Sequence, residues 1–184
     1  MFHDRSRLGR GLSFVLAALV FAALVGTLAA EDVGLALAPA ASPGPALGSV
    51  AAGIYHTCGL KTDGALACWG HNGLGQSAPP AGRYSRRLMT AGGSHTCQLQ
   101  LDGKLACWGD STYGQSAPPA GAFTQAAGGG RHTCGVKTDG TLACWGYNNY
   151  GQSTPPAGTF TQVTAAYLHT CGLRTDGTLA CWGN

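Results

Sequence analysis

The chain has 184 residues, enough for one domain, with 30 glycines and only 10% charged residues. So little charge argues against long solvated helices and favours short strands joined by tight turns. Of the formal charge of +3, Arg5, Arg7 and Arg10 against Asp4 account for +2, so the remainder is near neutral and carries no electrostatic footprint for nucleic acid or an anionic membrane.

Residues 1–30 read as an export segment. "MFHDRSRLGR" is basic, "GLSFVLAALVFAALVGTLAA" is uncharged and apolar, and Thr27, Ala29 and Ala30 are small enough for a signal peptidase. The run from Gly11 to Ala30 is also long enough to span a bilayer. A cleaved signal peptide and a retained N-terminal anchor are therefore the two readings, and membrane association is expected through this segment alone. Both place the rest of the chain outside the cytoplasm, where disulfides persist. Residues 31–49, "EDVGLALAPAASPGPALGS", are rich in Ala, Pro and Gly without a period and read as a linker.

From residue 50 to 184 one unit recurs. His-Thr-Cys triplets begin at His56, His95, His132 and His169, at spacings of 39, 37 and 37 residues. Connectors "GQSAPPAG", "GQSAPPAG" and "GQSTPPAG" begin at Gly75, Gly114 and Gly151. Units start near 50, 89, 126 and 163, and the last is expected to be incomplete, giving about three and a half.

Within a unit, "HTCGLKTD" and "GALACWG" read as two short strands around an Asp-Gly turn. A two-residue loop at Asp63-Gly64 sets Cys58 opposite Trp69 and puts the cysteines on opposite faces. A three-residue loop, Thr62-Asp63-Gly64, sets Lys61 opposite Ala65 and Cys58 opposite Cys68, with Gly64 free to take the left-handed conformation. The second register is preferred. It places Cys58, Leu60, Leu66 and Cys68 on one face and Thr57, Gly59, Ala67 and Trp69 on the other, with Trp69 diagonal to Gly59 and able to pack over it. The bonds expected are Cys58–Cys68, Cys97–Cys107, Cys134–Cys144 and Cys171–Cys181. A preceding strand is expected in "SVAAGIY" and in "FTQVTAAY", and the Pro-Pro pairs belong to edges or loops. Both hairpin faces carry small or apolar residues, so both need cover. The fold class expected is all-β, a partial β-propeller of three- or four-stranded antiparallel blades.

The pattern formed by Ala52-Gly53, His56, Leu60, Asp63-Gly64, Trp69-Gly70, Asn72 and Gly75-Gln76, repeated in register, resembles the regulator of chromosome condensation repeat family. The connector is similar to that of secreted bacterial members, among them propeller-type β-lactamase inhibitor proteins. The resemblance implies a seven-bladed ring. Against that number the chain is a fragment of such a ring, half of one completed by a homodimer, or an open arc. The nuclear members exchange nucleotide on a small GTPase and contact chromatin, which makes exchange-type regulation the alternative function by analogy.

Zinc is the competing chemistry for His56, Cys58 and Cys68, but the spacing is wrong for a structural site and the thiol-redox C-x-x-C is absent. No metal or other cofactor is expected. His56, His95, His132 and His169 recur without a nucleophile or acid partner, so structural hydrogen bonding is expected and no catalytic residue is assigned. Trp69, Trp108, Trp145 and Trp182 suit packing between blades, and Gln76, Gln115 and Gln152 suit tying the connector to a neighbouring strand. The segments that differ between units follow each Trp-Gly: "HNGL", "DSTY" and "YNNY". His71, Asn72, Leu74, Asp110, Ser111, Tyr113, Tyr147, Asn148 and Tyr150 are the candidate binding rim, because Tyr, Asn and Ser combine contact area with adaptable hydrogen bonding. The function expected is an exported, non-catalytic scaffold that binds another protein.

Overall fold

The computed structural model describes residues 47–184. The export segment and residues 31–46 of the linker lie outside the described residues. Among the described residues twelve strands form four sheets. The first holds β1 (Leu47–Ala52), β2 (His56–Lys61) and β3 (Leu66–Gly70), and the second β4 (Tyr84–Ala91), β5 (His95–Gln100) and β6 (Leu105–Gly109). The third holds β7 (Phe123–Gly128), β8 (His132–Lys137) and β9 (Leu142–Gly146), and the fourth β10 (Phe160–Ala165), β11 (His169–Arg174) and β12 (Leu179–Gly183). Every sheet is antiparallel and three-stranded, in sequence order. The fourth holds three strands like the others, so the described residues form four blades rather than three and a half. β1 also begins inside the segment read as linker, at Leu47.

The hairpins adopt the three-residue register. Cys58 faces Cys68, Thr57 faces Trp69, and the Lys61 amide donates to the Ala65 carbonyl at 2.8 Å. Gly64 sits at φ +85°, and the Asp63 carboxylate accepts the Ala65 amide at 2.9 Å, closing the turn. Cross-strand pairing of the cysteines follows, and all eight are bonded as expected. A cysteine held in a disulfide offers no thiolate to zinc.

The alternation of strand side chains gives each blade two different faces. His132, Cys134 and Val136 share one; Thr133, Gly135 and Trp145 share the other. The core lies between blades, where the first kind of face meets the second. Cys134 and Val136 of the third blade pack with Val163 and Trp182 of the fourth, and Leu99 and Leu105 of the second with Phe123, Ala126 and Trp145 of the third. Trp145 and Trp182 thus pack between blades as expected, whereas Trp69 is exposed. The ring over the small residue is a different one: a Cβ on Gly135 would lie 2.6 Å from Phe123, and one on Gly172 2.6 Å from Phe160. The first strand supplies the cover, which hairpin spacing alone does not show.

The two extra residues of the second unit are absorbed in β4, whose pairing is interrupted between Tyr84 and Met89. The freed Ser85 carbonyl accepts Gln98 Nε2 at 2.6 Å, and Arg86 donates to the Thr62 carbonyl of the preceding turn.

Candidate functional site

Three buried histidines link the blades. Nε2 of His56, His95 and His132 lies 2.6, 2.8 and 2.7 Å from Oγ1 of Thr96, Thr133 and Thr170, each on the next blade. Thr133 and Thr170 donate their hydroxyl hydrogens to the carbonyls of Gln115 and Gln152, so His95 and His132 donate through Nε2, and their Nδ1 atoms are buried without a partner. Burial drives the imidazoles of His95 and His132 down to about 4, each reinforced by a neighbouring histidine. The rings need space beside them: a Cβ on Gly53, Gly92 or Gly129 would stand 2.5, 2.2 or 2.3 Å from the ring's Cε1. In the fourth unit Ala166 occupies that position, and His169 is exposed.

The same connector carbonyls accept the tryptophans. Nε1 of Trp108, Trp145 and Trp182 donates at 2.9 Å to Gln76, Gln115 and Gln152. The glutamine side chains turn the other way. Their Oε1 atoms accept the amides of Leu74, Tyr113 and Tyr150, all at 2.9 Å. The expected tie to a neighbouring blade is therefore made by the glutamine backbone, while its buried side chain fixes the rim loop. The outcome is a rigid backbone that points Leu74, Tyr113 and Tyr150 into solvent.

A second loop joins each rim segment. The amides of His71, Asp110 and Tyr147 donate to the carbonyls of Tyr55, Ser94 and Arg131, at 2.8, 2.8 and 2.9 Å. Gly146, at φ +99°, permits this approach, since a Cβ there would lie 2.7 Å from the Arg131 carbonyl. The turn between the first two strands of each blade and the loop after its third strand thereby form one rim.

On that rim the third blade gathers an aromatic group. Tyr147 stands edge-on to Tyr113 at 4.9 Å and to Tyr150 at 6.2 Å, and the Arg131 guanidinium lies 5.5 Å from the centre of the Tyr113 ring. Arg131, Tyr147, Tyr150, Tyr167 and Leu168 line a shallow cleft of about 210 Å³. Asp110 is close by; partial burial works to raise its pKa, but the Thr112 hydrogen bonds and then Arg131 outweigh it and hold the carboxyl below its ordinary value.

The candidate rim residues divide by what their side chains touch. Tyr113, Tyr147 and Tyr150 meet in the cluster. Leu74 is presented alone on the first blade, and Ser111 is exposed, its carbonyl accepting the Gly114 amide at 2.8 Å. His71, Asn72, Asp110 and Asn148 hold their own loops: His71 Nδ1 accepts Gln76 Nε2 at 2.7 Å, Asn72 and Asn148 accept the amides of Ser77 and Ser153, and Asp110 accepts from Thr112. Arg131 and Tyr167 were missed. Their signal lay just before each His-Thr-Cys, where "IY", "GS", "GR" and "YL" vary as freely as the segments after Trp-Gly.

Blades stacked face to face, each stapled by one disulfide and locked to the next by histidine, threonine and a connector carbonyl, make this a β-propeller repeat protein. The chain belongs to the regulator of chromosome condensation (RCC1) repeat family, whose profile matches residues 49–76, 88–115, 123–152 and 160–184. No curated protein matches it. It is similar to the CRINKLY ectodomain of the receptor kinase ACR4 from Arabidopsis thaliana, at 28% identity and a TM-score of 0.62 over 74% of this chain and 49% of that one. It is also similar to the ectodomain of the receptor kinase CR4 from Physcomitrella patens, at 29% identity and a TM-score of 0.66 over 79% and 42%. Prp20p from Saccharomyces cerevisiae shares the fold at 18% identity, with a TM-score of 0.67 over 79% and 47%. The chain thus spans less than half the length of each of these.

Proposed function

We propose that this chain is an exported, non-catalytic interaction scaffold that binds a protein partner through the rim cluster of Tyr113, Arg131, Tyr147, Tyr150 and Tyr167. The observation that carries the reading is the fixed presentation of varied side chains. Each buried glutamine clamps the amide two residues before it, so the frame is constant while the displayed residue changes from Leu74 to Tyr113 to Tyr150. Rigid exposed tyrosines beside an arginine are the residue types on which protein interfaces concentrate binding energy. Support for export comes from four disulfides, which fit an oxidising compartment, and from likeness to two receptor ectodomains. Relatives in fold bind proteins too: Kap60 is bound to yeast RCC1 (Prp20) in one solved structure, and another describes binding of Prp20p to Gsp1p and histones.

The test is a photo-crosslinker placed at Tyr150 in the native host, with cell fractionation. The expected result is one protein crosslinked outside the cytoplasm, lost in Tyr147→Ala and Arg131→Ala chains that keep all four disulfides. A cytosolic chain with free thiols, or one that accelerates nucleotide release from a small GTPase, overturns the reading.

A further inference from the structure

The two residues that lengthen the second unit break a contact that the next two junctions share. Where the second blade meets the third, the Phe123 amide donates to the Gly103 carbonyl at 2.8 Å and the Thr138 amide to that of Ala122 at 3.2 Å. Where the third meets the fourth, Phe160 donates to Gly140 at 2.8 Å and Thr175 to Thr159 at 3.1 Å. The hairpin turn of one blade is thereby clamped to the start of the next. Among the described residues no such bond joins Tyr84 to Gly64 or Leu101 to Arg83, the corresponding pairs of the first and second blades. A Cβ on Gly103 or Gly140 would meet Ala122 or Thr159 at 3.4 Å, whereas one on Gly64 would meet nothing within 4 Å.

The gap is a cleft of about 390 Å³ between Asp63 and Gly64 of one turn, Arg83 and Tyr84 at the start of β4, and Leu101 of the next turn. Three main-chain groups at this cleft have no hydrogen-bond partner among the described residues: the Leu101 amide and the Gly64 and Arg83 carbonyls. Leu101 stands where the other turns carry Thr62, Thr138 and Thr175, and it is 68% exposed. Arg83 lines the cleft, and Arg86 and Arg87 are exposed in the bulge that follows, with Arg86 held across the junction by the Thr62 carbonyl. The nearby carboxylates are engaged: Asp63 accepts the Ala65 amide at 2.9 Å, and Asp102 pairs with Lys104 at 3.2 Å. Seven of the eight lysines and arginines in residues 47–184 lie at this turn end of the blades, against four of the five aspartates, so the cationic surface is opposite the rim.

We propose that this cleft is a second binding site, which takes an extended acidic peptide segment of a partner protein. A carbonyl of the segment accepts the Leu101 amide, and one of its amides donates to the Gly64 or Arg83 carbonyl. An apolar side chain covers Leu101, and a carboxylate pairs with Arg83 and Arg87. A sulfated polysaccharide or an anionic lipid headgroup satisfies the arginines but does not match the alternating donors and acceptors of the main chain. The cleft lies at the opposite end of the strands from the tyrosine rim, so it does not depend on the rim's partner.

Selection of a random dodecapeptide library on the full chain, exported and oxidised, tests this, with heparin and phosphatidylglycerol vesicles as parallel probes. The enriched peptides are expected to carry Asp or Glu beside an apolar residue and to crosslink to a photoreactive residue in place of Leu101. Their affinity is expected to fall about tenfold or more in a chain carrying Arg83→Gln and Arg87→Gln, and to be unchanged in Tyr147→Ala. Should the double variant fold poorly, salt decides in the wild type, where affinity is expected to fall about tenfold between about 0.05 M and about 0.5 M. The proposal is overturned by a library that yields no peptide crosslinked at this cleft, by enriched peptides without acidic residues, or by affinity indifferent to both arginines or to salt. It is equally overturned if heparin or the vesicles occupy the cleft more tightly than any peptide, or if position 101 crosslinks to residues 31–46 of its own chain.

Discussion

Acid is expected to loosen this fold well above the pH at which carboxylates titrate, through the histidines between blades. Burial holds the native His95 imidazole at about 4 against an ordinary value of 6.5, so the native ring stays neutral while the unfolded chain takes up a proton. Stability from this source is complete above pH 6.5, falls as pH drops through 6.5, and stops falling below about 4. The full loss is about 3 kcal/mol, at 1.36 kcal/mol per pH unit, and about 2 kcal/mol of it is gone by pH 5. His132, also near 4, adds a loss of the same sign. The exposed turn aspartates Asp102, Asp139 and Asp176, with values held low by hydrogen bonds from Lys104, Thr141 and Thr178, lose their contributions only at lower pH and leave the window clear. Urea unfolding of the oxidised protein at pH 7.5, 6 and 5 measures the effect. For the slope of a small protein the midpoint is expected to fall by about 1 M or more. His95→Gln keeps a donor for Thr133 and removes the titration, so its midpoint falls less. A midpoint constant between pH 7.5 and 5, or an equal fall in the wild type and His95→Gln, refutes the argument.

Gly146→Ala is expected to cost about 3 kcal/mol, because it adds a contact with the Arg131 carbonyl to the left-handed strain at φ +99°. Gly151→Ala, at φ +78° with nothing within 4 Å, bears only the backbone term of about 1 kcal/mol, and paired thermal melts separate the two. Removing Cys134–Cys144 by a double Ser substitution is expected to lower stability by about 3 kcal/mol in denaturant titrations, the chain-entropy value for so short a loop. Mild reductant on the dilute protein is expected to open Cys171–Cys181 first, since both its cysteines are accessible while Cys58, Cys97 and Cys134 are fully buried; peptide mapping after alkylation reads the order. Trp145→Phe loses its bond to Gln115 and is expected to cost about 1–2 kcal/mol, whereas Trp69→Phe, on an exposed side chain, is nearly silent in the same melts.

The hairpin was legible because everything that decides it is local. Alternation sets which residues share a face, and the Thr62-Asp63-Gly64 loop sets the register, so the chain sequence alone determined the pairing of Cys58 with Cys68 and its three counterparts. The repeat fixed the all-β class, and variation after Trp-Gly marked Tyr113, Tyr147 and Tyr150. What one blade does to the next has no such local signature. That His95 reaches Thr133, that the Gln115 carbonyl serves Trp145 while its side chain clamps Tyr113, and that Arg131 lies by the Tyr113 ring all depend on contacts between units. Only stacking of the blades decided which tryptophans are buried, which leave their ring open as Trp69 does, and which of the varied residues meet. Sheet-to-sheet packing is set by the fit of whole faces, and a strand's sequence specifies its face without naming the surface that will cover it.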